Sequence, residues 1–270
     1  MFAKLMKYEW KDSMRVFLPL WGATVALGAV NGFTMGSEVS LRNPMLNFIV
    51  QILPALLLFG LSFGMFVVAF VLIIRRFYNG LLGDGGILSF TLPVTAAQHL
   101  AAKLLMALIM LVGCVLAGLL ASVVLIAIRG DLGRVKELFL MLRSQLDGYR
   151  FTVPVIIEML LFCLLAAAFS VLRLYSGMAI GHLFRTHRAL WSVAAVLVMG
   201  WIFNYLTIQS GKILYNIAER TPQYWNIDSF SALLDRLPLF LGIGIGGFLL
   251  GSVLLWLLTH YILGRKLNIL

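Results

Sequence analysis

The chain has 270 residues, 61% of them hydrophobic and only 12% charged, with a mean hydropathy of +0.99. No water-soluble core of this size could absorb so much apolar surface, so the composition indicates an integral membrane protein. The formal charge of +10 comes without any basic cluster interleaved with aromatics. It suits anionic lipid headgroups, and no nucleic-acid partner is expected.

A bilayer's hydrocarbon core is about 30 Å thick, so a helical span needs roughly 20 mostly apolar residues. Ahead of the first such run, Met1 to Arg15 carries Phe2, Leu5, Met6, Trp10 and Met14 at helical spacing, with Lys4, Lys7, Lys11 and Arg15 free to face headgroups. Residues 1–15 therefore read as an amphipathic interfacial helix, with a transmembrane domain over 16–270. No cleavage pattern follows the basic segment, so the first span is expected to stay in place. Six spans are predicted, approximately Val16 to Met35, Phe48 to Ile74, Leu104 to Ile128, Phe151 to Leu172, Leu190 to Ile208 and Leu237 to Tyr261. Runs this continuous lack a barrel's alternation, and unpaired backbone is not tolerated in lipid. The expected fold is all-α and polytopic.

An even number of spans puts both termini on one side. Lys4, Lys7, Lys11 and Arg15 precede the first span and only Arg42 follows it, which predicts cytoplasmic termini. With that orientation 12 of the 21 basic residues lie inside and 9 outside, and of the acids Glu9, Asp12 and Asp84 lie inside and seven outside. Glu158 alone stands in a span. Cys114 and Cys163 both fall within spans, with no disulfide framework or metal-ligand spacing.

An inner loop is predicted over 75–103 and outer loops over 129–150 and 210–236. In the inner loop Arg75 and Arg76 end the second span, and Gly80, Gly83, Gly85 and Gly86 are expected to stop the helix. Leu92-Pro93 then imposes an extended approach, and Thr95 with Gln98 has the spacing of a capping box, so a new helix should begin at Ala96 and carry Lys103 to the interface. Ile87, Leu88, Phe90, Leu92 and Val94 form an apolar segment outside the hydrocarbon that needs cover from lipid, from the span ends or from another protein. In the first outer loop Val135, Leu138, Leu142 and Leu146 share one face of a short surface helix. The second holds Tyr215, Tyr224 and Trp225 for an interfacial belt or a re-entrant turn.

Gly60 with Gly64, Gly242 with Gly246, and Gly247 with Gly251 have small-xxx-small spacing, which suits packing within the chain or a dimer seam. RFYNG (76–80) is echoed by RLYSG (173–177). Within the spans, Glu158 is costly unless it faces protein, water or a partner, about 2.5 to 3.5 kcal/mol at a helix centre. It could contact substrate on a path or form a gate, snorkel outward, or bond Asn204 or a nearby Thr. Asn47, Gln51, Asn204 and Gln209 are weaker candidates of the same kind.

The string FYNGLLGDGGILSFTLPVTAAQHLAAKLL (77–105) resembles the inner loop of permease subunits of ATP-binding-cassette (ABC) transporters of the type-2 permease family. Three further pieces are similar: LMKYEWK (5–11), YSGMAIGHLFRTHR (175–188) and the terminal RKLNIL, so the resemblance spans nearly the whole chain. One departure is Gly85, where members often carry Glu.

The resemblance implies a permease subunit of the cell membrane, of a bacterial kind. Its inner loop would dock on a separate ATPase subunit, in two copies, beside a second permease, identical or related. It assigns Tyr78, Asp84, Leu92, Pro93, Thr95 and Gln98 to the docking loop or its support. Tyr8, Glu9, Trp10 and Lys11 fall to the helix beside it, and Tyr175, Gly181 and His182 to a second inner loop. By the same analogy Gln51 and Asn204 line a translocation path, with Glu158 a further candidate. The chain contains no G-x-x-x-x-G-K-[ST] phosphate loop, so it is not expected to be an enzyme or to hold a cofactor; ATP and Mg would sit on the partner. Spans rich in Leu, Phe and Met suit an amphipathic or hydrophobic cargo such as a peptide, lipid or drug. The rival expectations are an ion-gradient-driven secondary transporter, which should show inverted repeats and midplane ionisable groups, and a non-transporting sensor or scaffold.

Overall fold

The computed structural model describes residues 2–36, 44–82, 95–130, 133, 136–137, 140–141, 153–184, 186–220 and 230–265. Six long helices dominate: α1 (Phe2–Gly36), α2 (Pro44–Phe77), α3 (Ala96–Arg129), α4 (Val153–Gly181), α5 (Arg188–Arg220) and α6 (Phe230–Arg265). Each contains a stretch long and apolar enough to cross a membrane, and no strand occurs among the described residues. The chain is a multi-pass membrane protein. Its large exposed side chains, among them Phe59, Leu160 and Trp201, are apolar because their solvent is lipid.

The helices outrun the apolar runs that predict them. α1 continues without a break through the expected boundary at Arg15, so the basic segment and the first span form one rod of 35 residues. α4 does not stop at Leu172 but runs on to Gly181, which moves Arg173 from a span end to a helix interior. An arginine ends an apolar run, yet it is a good helix former and stops nothing. Similarly, the predicted outer loop 210–236 is helical over Gly211–Arg220 and again from Phe230, because no breaker stands before Pro222. In the other outer loop Gly133, Lys136, Glu137, Leu140 and Met141 are helical and exposed. Val135, Leu138, Leu142 and Leu146, its expected apolar face, lie outside the described residues.

The chain divides into two compact units, Met1–Arg75 with Ala101–Arg150, and Arg76–Leu100 with Phe151–Leu270. In the first, α1 approaches α3 closely at two glycines one turn apart. A Cβ on Gly28 would stand 2.5 Å from the Ala121 carbonyl oxygen, and one on Gly32 would stand 2.8 Å from the Ile128 Cβ. A polar tie joins α1 to α2, where the buried Asn31 donates from Nδ2 to the Pro54 carbonyl at 2.8 Å. In lipid this tie matters more than another apolar contact, because apolar surface gains little by leaving hydrocarbon.

In the second unit α4 packs against both α5 and α6. Phe169 lies edge-on to Phe203 of α5, with centroids 4.5 Å apart, and tilts against Phe248 of α6 at 5.5 Å. Gly251 makes room for this cluster: its Cβ would stand 2.8 Å from the Phe169 ring. The other glycines marked by spacing (Gly60, Gly64, Gly242, Gly246 and Gly247) have open space around them. Spacing identifies a smooth helix face but not which helix, if any, lies on it.

Gly28→Ala should therefore destabilise the protein by about 1–3 kcal/mol, since the added methyl meets backbone that cannot rotate away. Gly64→Ala should stay within about 0.5 kcal/mol of wild type or gain stability. Thermal unfolding of both variants in one detergent checks the contrast.

Candidate functional site

The chemistry-bearing residues collect where α2 ends and α3 begins, and where α4 turns into α5. α2 does not yield at Gly80. After Phe77 the backbone loosens into a π-helical turn, Tyr78–Leu82, which absorbs the glycine while keeping the chain helical. Such turns shift the register of the side chains that follow and recur at functional sites.

Phe77 and Tyr175 are both buried and stack face to face, with centroids 4.0 Å apart and planes 10° from parallel. One residue on, the Tyr78 ring tilts against the His182 imidazole at 5.3 Å. Tyr78, Tyr175 and His182, assigned by sequence to two different inner segments, therefore meet in one joint. Phe77 completes it. Sequence reading missed Phe77 as a contact, although it belongs to the RFYNG string whose echo contains Tyr175.

The joint is braced from α5. Gly177 and Gly181, one turn apart near the end of α4, lie directly against Val196 and Ser192 of α5. A side chain on Gly181 would overlap Ser192, whose backbone nitrogen would be 2.5 Å from the new Cβ. This glycine pair has small-xxx-small spacing, but the sequence reading marked other pairs and not this one. After Gly181 the chain turns tightly: the His182 N–H donates to the Met178 carbonyl and the Phe184 N–H to that of Gly181. His187 takes a positive φ of 54° before α5 starts, and Phe184 stacks on Trp191 at 4.3 Å. Burial pushes the His182 imidazole below its ordinary 6.5, and the Arg188 charge pushes it the same way.

At the start of α3 the capping box forms in full. The Gln98 N–H donates to Thr95 Oγ1 at 3.3 Å and the Thr95 N–H donates to Gln98 Oε1 at 3.1 Å. Two amide donors at the helix start are thereby satisfied, and α3 begins at Ala96 as its sequence predicts. Within the first unit, Lys103 two turns later pairs with Glu9 of α1, Nζ to Oε1 at 3.0 Å, both part-buried. Tyr8, Trp10 and Lys11 on the same helix are exposed. Asp84, Leu92 and Pro93 lie outside the described residues.

The path candidates fall in both units. Gln51 and Asn47 lie on α2, Asn204 is exposed on α5, and Gln209 lies on α5 partly covered. Glu158 is part-buried on α4, its Oε2 without a hydrogen-bond partner, and no bond joins it to Asn204. Among the described residues no group of three His, Cys, Asp or Glu side chains could hold a metal. Stacked rings and a glycine seam hold the ends of α2 and α4 and the start of α5 in contact. No protein-family model matches the chain, and no curated protein or solved structure matches it.

Two outcomes test this geometry. Thr95→Ala should cost about 1 kcal/mol and speed amide exchange at the first turn of α3. A depressed histidine pKa contributes stability that is complete above pH 6.5 and is lost as pH falls through the folded-state value. Wild type should thus lose thermal stability on acidification from about pH 7 to 5, and His182→Gln should lose less, by melting in the same buffers.

Proposed function

We propose that the chain is the membrane-spanning permease subunit of an ATP-driven ABC exporter. Hydrolysis on a separate ATPase subunit would move its helices and export an amphipathic or hydrophobic cargo, a peptide, lipid or drug. The observation that carries this reading is the stacked joint of Phe77 and Tyr78 with Tyr175 and His182. It ties the segment entering the 83–94 loop to the end of α4, so that force applied at the loop would reach α4 through aromatic contact within one unit.

The size of the coupling sets a physical requirement. Turning a 1:99 population of two conformations into 99:1 takes about 5.5 kcal/mol of differential binding. A loop attached only through flexible chain could not carry it. The π-helical turn, the buried stack and the closed capping box give both ends of the 83–94 segment firm anchors. On this reading the ATPase covers the apolar residues between Ile87 and Val94, and a second permease, identical or related, completes the transporter in a cell membrane.

Gentle solubilisation and pull-down of the tagged chain should recover an ATPase whose hydrolysis depends on it. Replacing residues 83–94 by a Gly-Ser linker of equal length should abolish recovery and cargo efflux while the helices still fold. Tyr78→Ala should leave the ATPase bound but cut coupled efflux roughly tenfold, equivalent to about 1.4 kcal/mol. Efflux that follows an ion gradient without ATP would replace this reading by secondary transport.

A further inference from the structure

We propose that Arg173 is the seat for the anionic headgroup, phosphate or carboxylate, of an amphiphile lying within the membrane. The inference rests on the permease reading for its role in transport, but the seat itself is argued from charge and depth.

Depth follows from register. Within the second unit Gly181 lies against Ser192, Gly177 against Val196, and Arg173 against Gly200, an antiparallel ladder in which each turn of α4 meets the corresponding turn of α5. Arg173 Nη1 would stand 3.2 Å from a Cβ at position 200, so the guanidinium sits at the level of Gly200. The membrane-crossing stretch of α5 is Arg188–Ile213, 26 residues, and Gly200 is halfway along it. Large exposed apolar side chains accompany it on both sides, from Leu190 and Trp191 to Ile208 and Ile213. The guanidinium therefore lies inside the candidate spans of both helices, about 18 Å along α5 from Arg188 and about 12 Å along α4 from Gly181.

At that depth the charge has no counterion among the described residues of its own unit. Arg173 Nε is buried without a hydrogen-bond partner, and arginine keeps its proton in proteins. α5 carries no acid before Glu219 in its last turn, about 28 Å along the helix from Gly200, and α6 carries none after Asp235 near its start. Glu158 is fifteen residues away on the same helix, about 22 Å by helix rise, too far to pair. Apart from Glu9 and Asp12 near the start of α1, Glu158 is also the only acid in the six candidate spans. An intramembrane charge left unpaired is costly and points to a ligand or pathway.

Gly200 leaves the space in which the planar fork lies, and a fork can take two oxygens of a phosphate or carboxylate at once. The apolar surface of α5 on either side is suited to the alkyl chain attached to such a headgroup.

The test uses the full chain in nanodiscs of zwitterionic lipid, titrated with four single-chain probes: dodecyl phosphate, dodecanoate, dodecyl maltoside and dodecyltrimethylammonium. The two anions should bind saturably and the others should not. Arg173→Gln should weaken anion binding roughly tenfold or more, Gly200→Val should do the same by filling the fork's space, and Arg173→Lys should restore part of it. Melting curves establish that each variant is folded. Discs doped with phosphatidylglycerol separate the sources of the anion: competition with the probes assigns the seat to a lipid headgroup, and its lack assigns it to a single-chain amphiphile. Equal anion binding by wild type and Arg173→Gln, or equal binding of the cationic probe, overturns the proposal. Recovery of the ATPase is scored on the same preparations. Loss of the ATPase with headgroup selectivity kept sinks the permease reading alone, and the reverse sinks the headgroup seat alone.

Discussion

In hydrocarbon a peptide group has no water to bond to, and one apolar side chain gains nothing by exchanging a lipid neighbour for a protein one. These two constraints organise the whole chain. The first makes every long apolar run a helix. The second removes the force that assembles soluble bundles, leaving close packing, buried amides and ring contacts to decide which helices touch. The contacts found are of those kinds: Gly28 and Gly32 against α3, Gly177 and Gly181 against α5, the Asn31 amide on Pro54, and the phenylalanines between α4 and α6.

The same solvent makes polar groups conspicuous. Where Lys103 meets Glu9 the two charges satisfy each other. Several serines and threonines return their protons to carbonyls one turn back, as Thr24 does to Leu20 and Thr259 to Leu255, and so leave no donor unpaired. Against that background the partnerless oxygen of Glu158 and nitrogen of Arg173 stand out on a single helix. His182 Nε2 and Ser252 Oγ are left likewise in the second unit.

The joint at the ends of α2 and α4 relates differently to the sequence. Tyr78, Tyr175 and His182 could be singled out as residues, but nothing in their spacing says that they touch. Phe77 could not be told from any other phenylalanine at the end of an apolar run. The π-helical turn was hidden as well, because Gly80 reads as a helix stop when considered alone. A turn that widens to five residues per hydrogen bond tolerates a glycine where the neighbouring side chains are buried.

What the sequence determined by itself is whatever depends on neighbours along the chain and on solvent. The six helices follow from runs of apolar residues, and the start of α3 from the Thr95 and Gln98 spacing, which closes a ring of hydrogen bonds over three residues. Tertiary structure alone decided where helices end and which faces meet. Helix ends depend on packing that outlasts the apolar run, as at Arg173, and glycine seams depend on the partner across them. Gly64 and Gly181 have the same local chemistry, and only the presence of Ser192 against one of them distinguishes a seam from an open face.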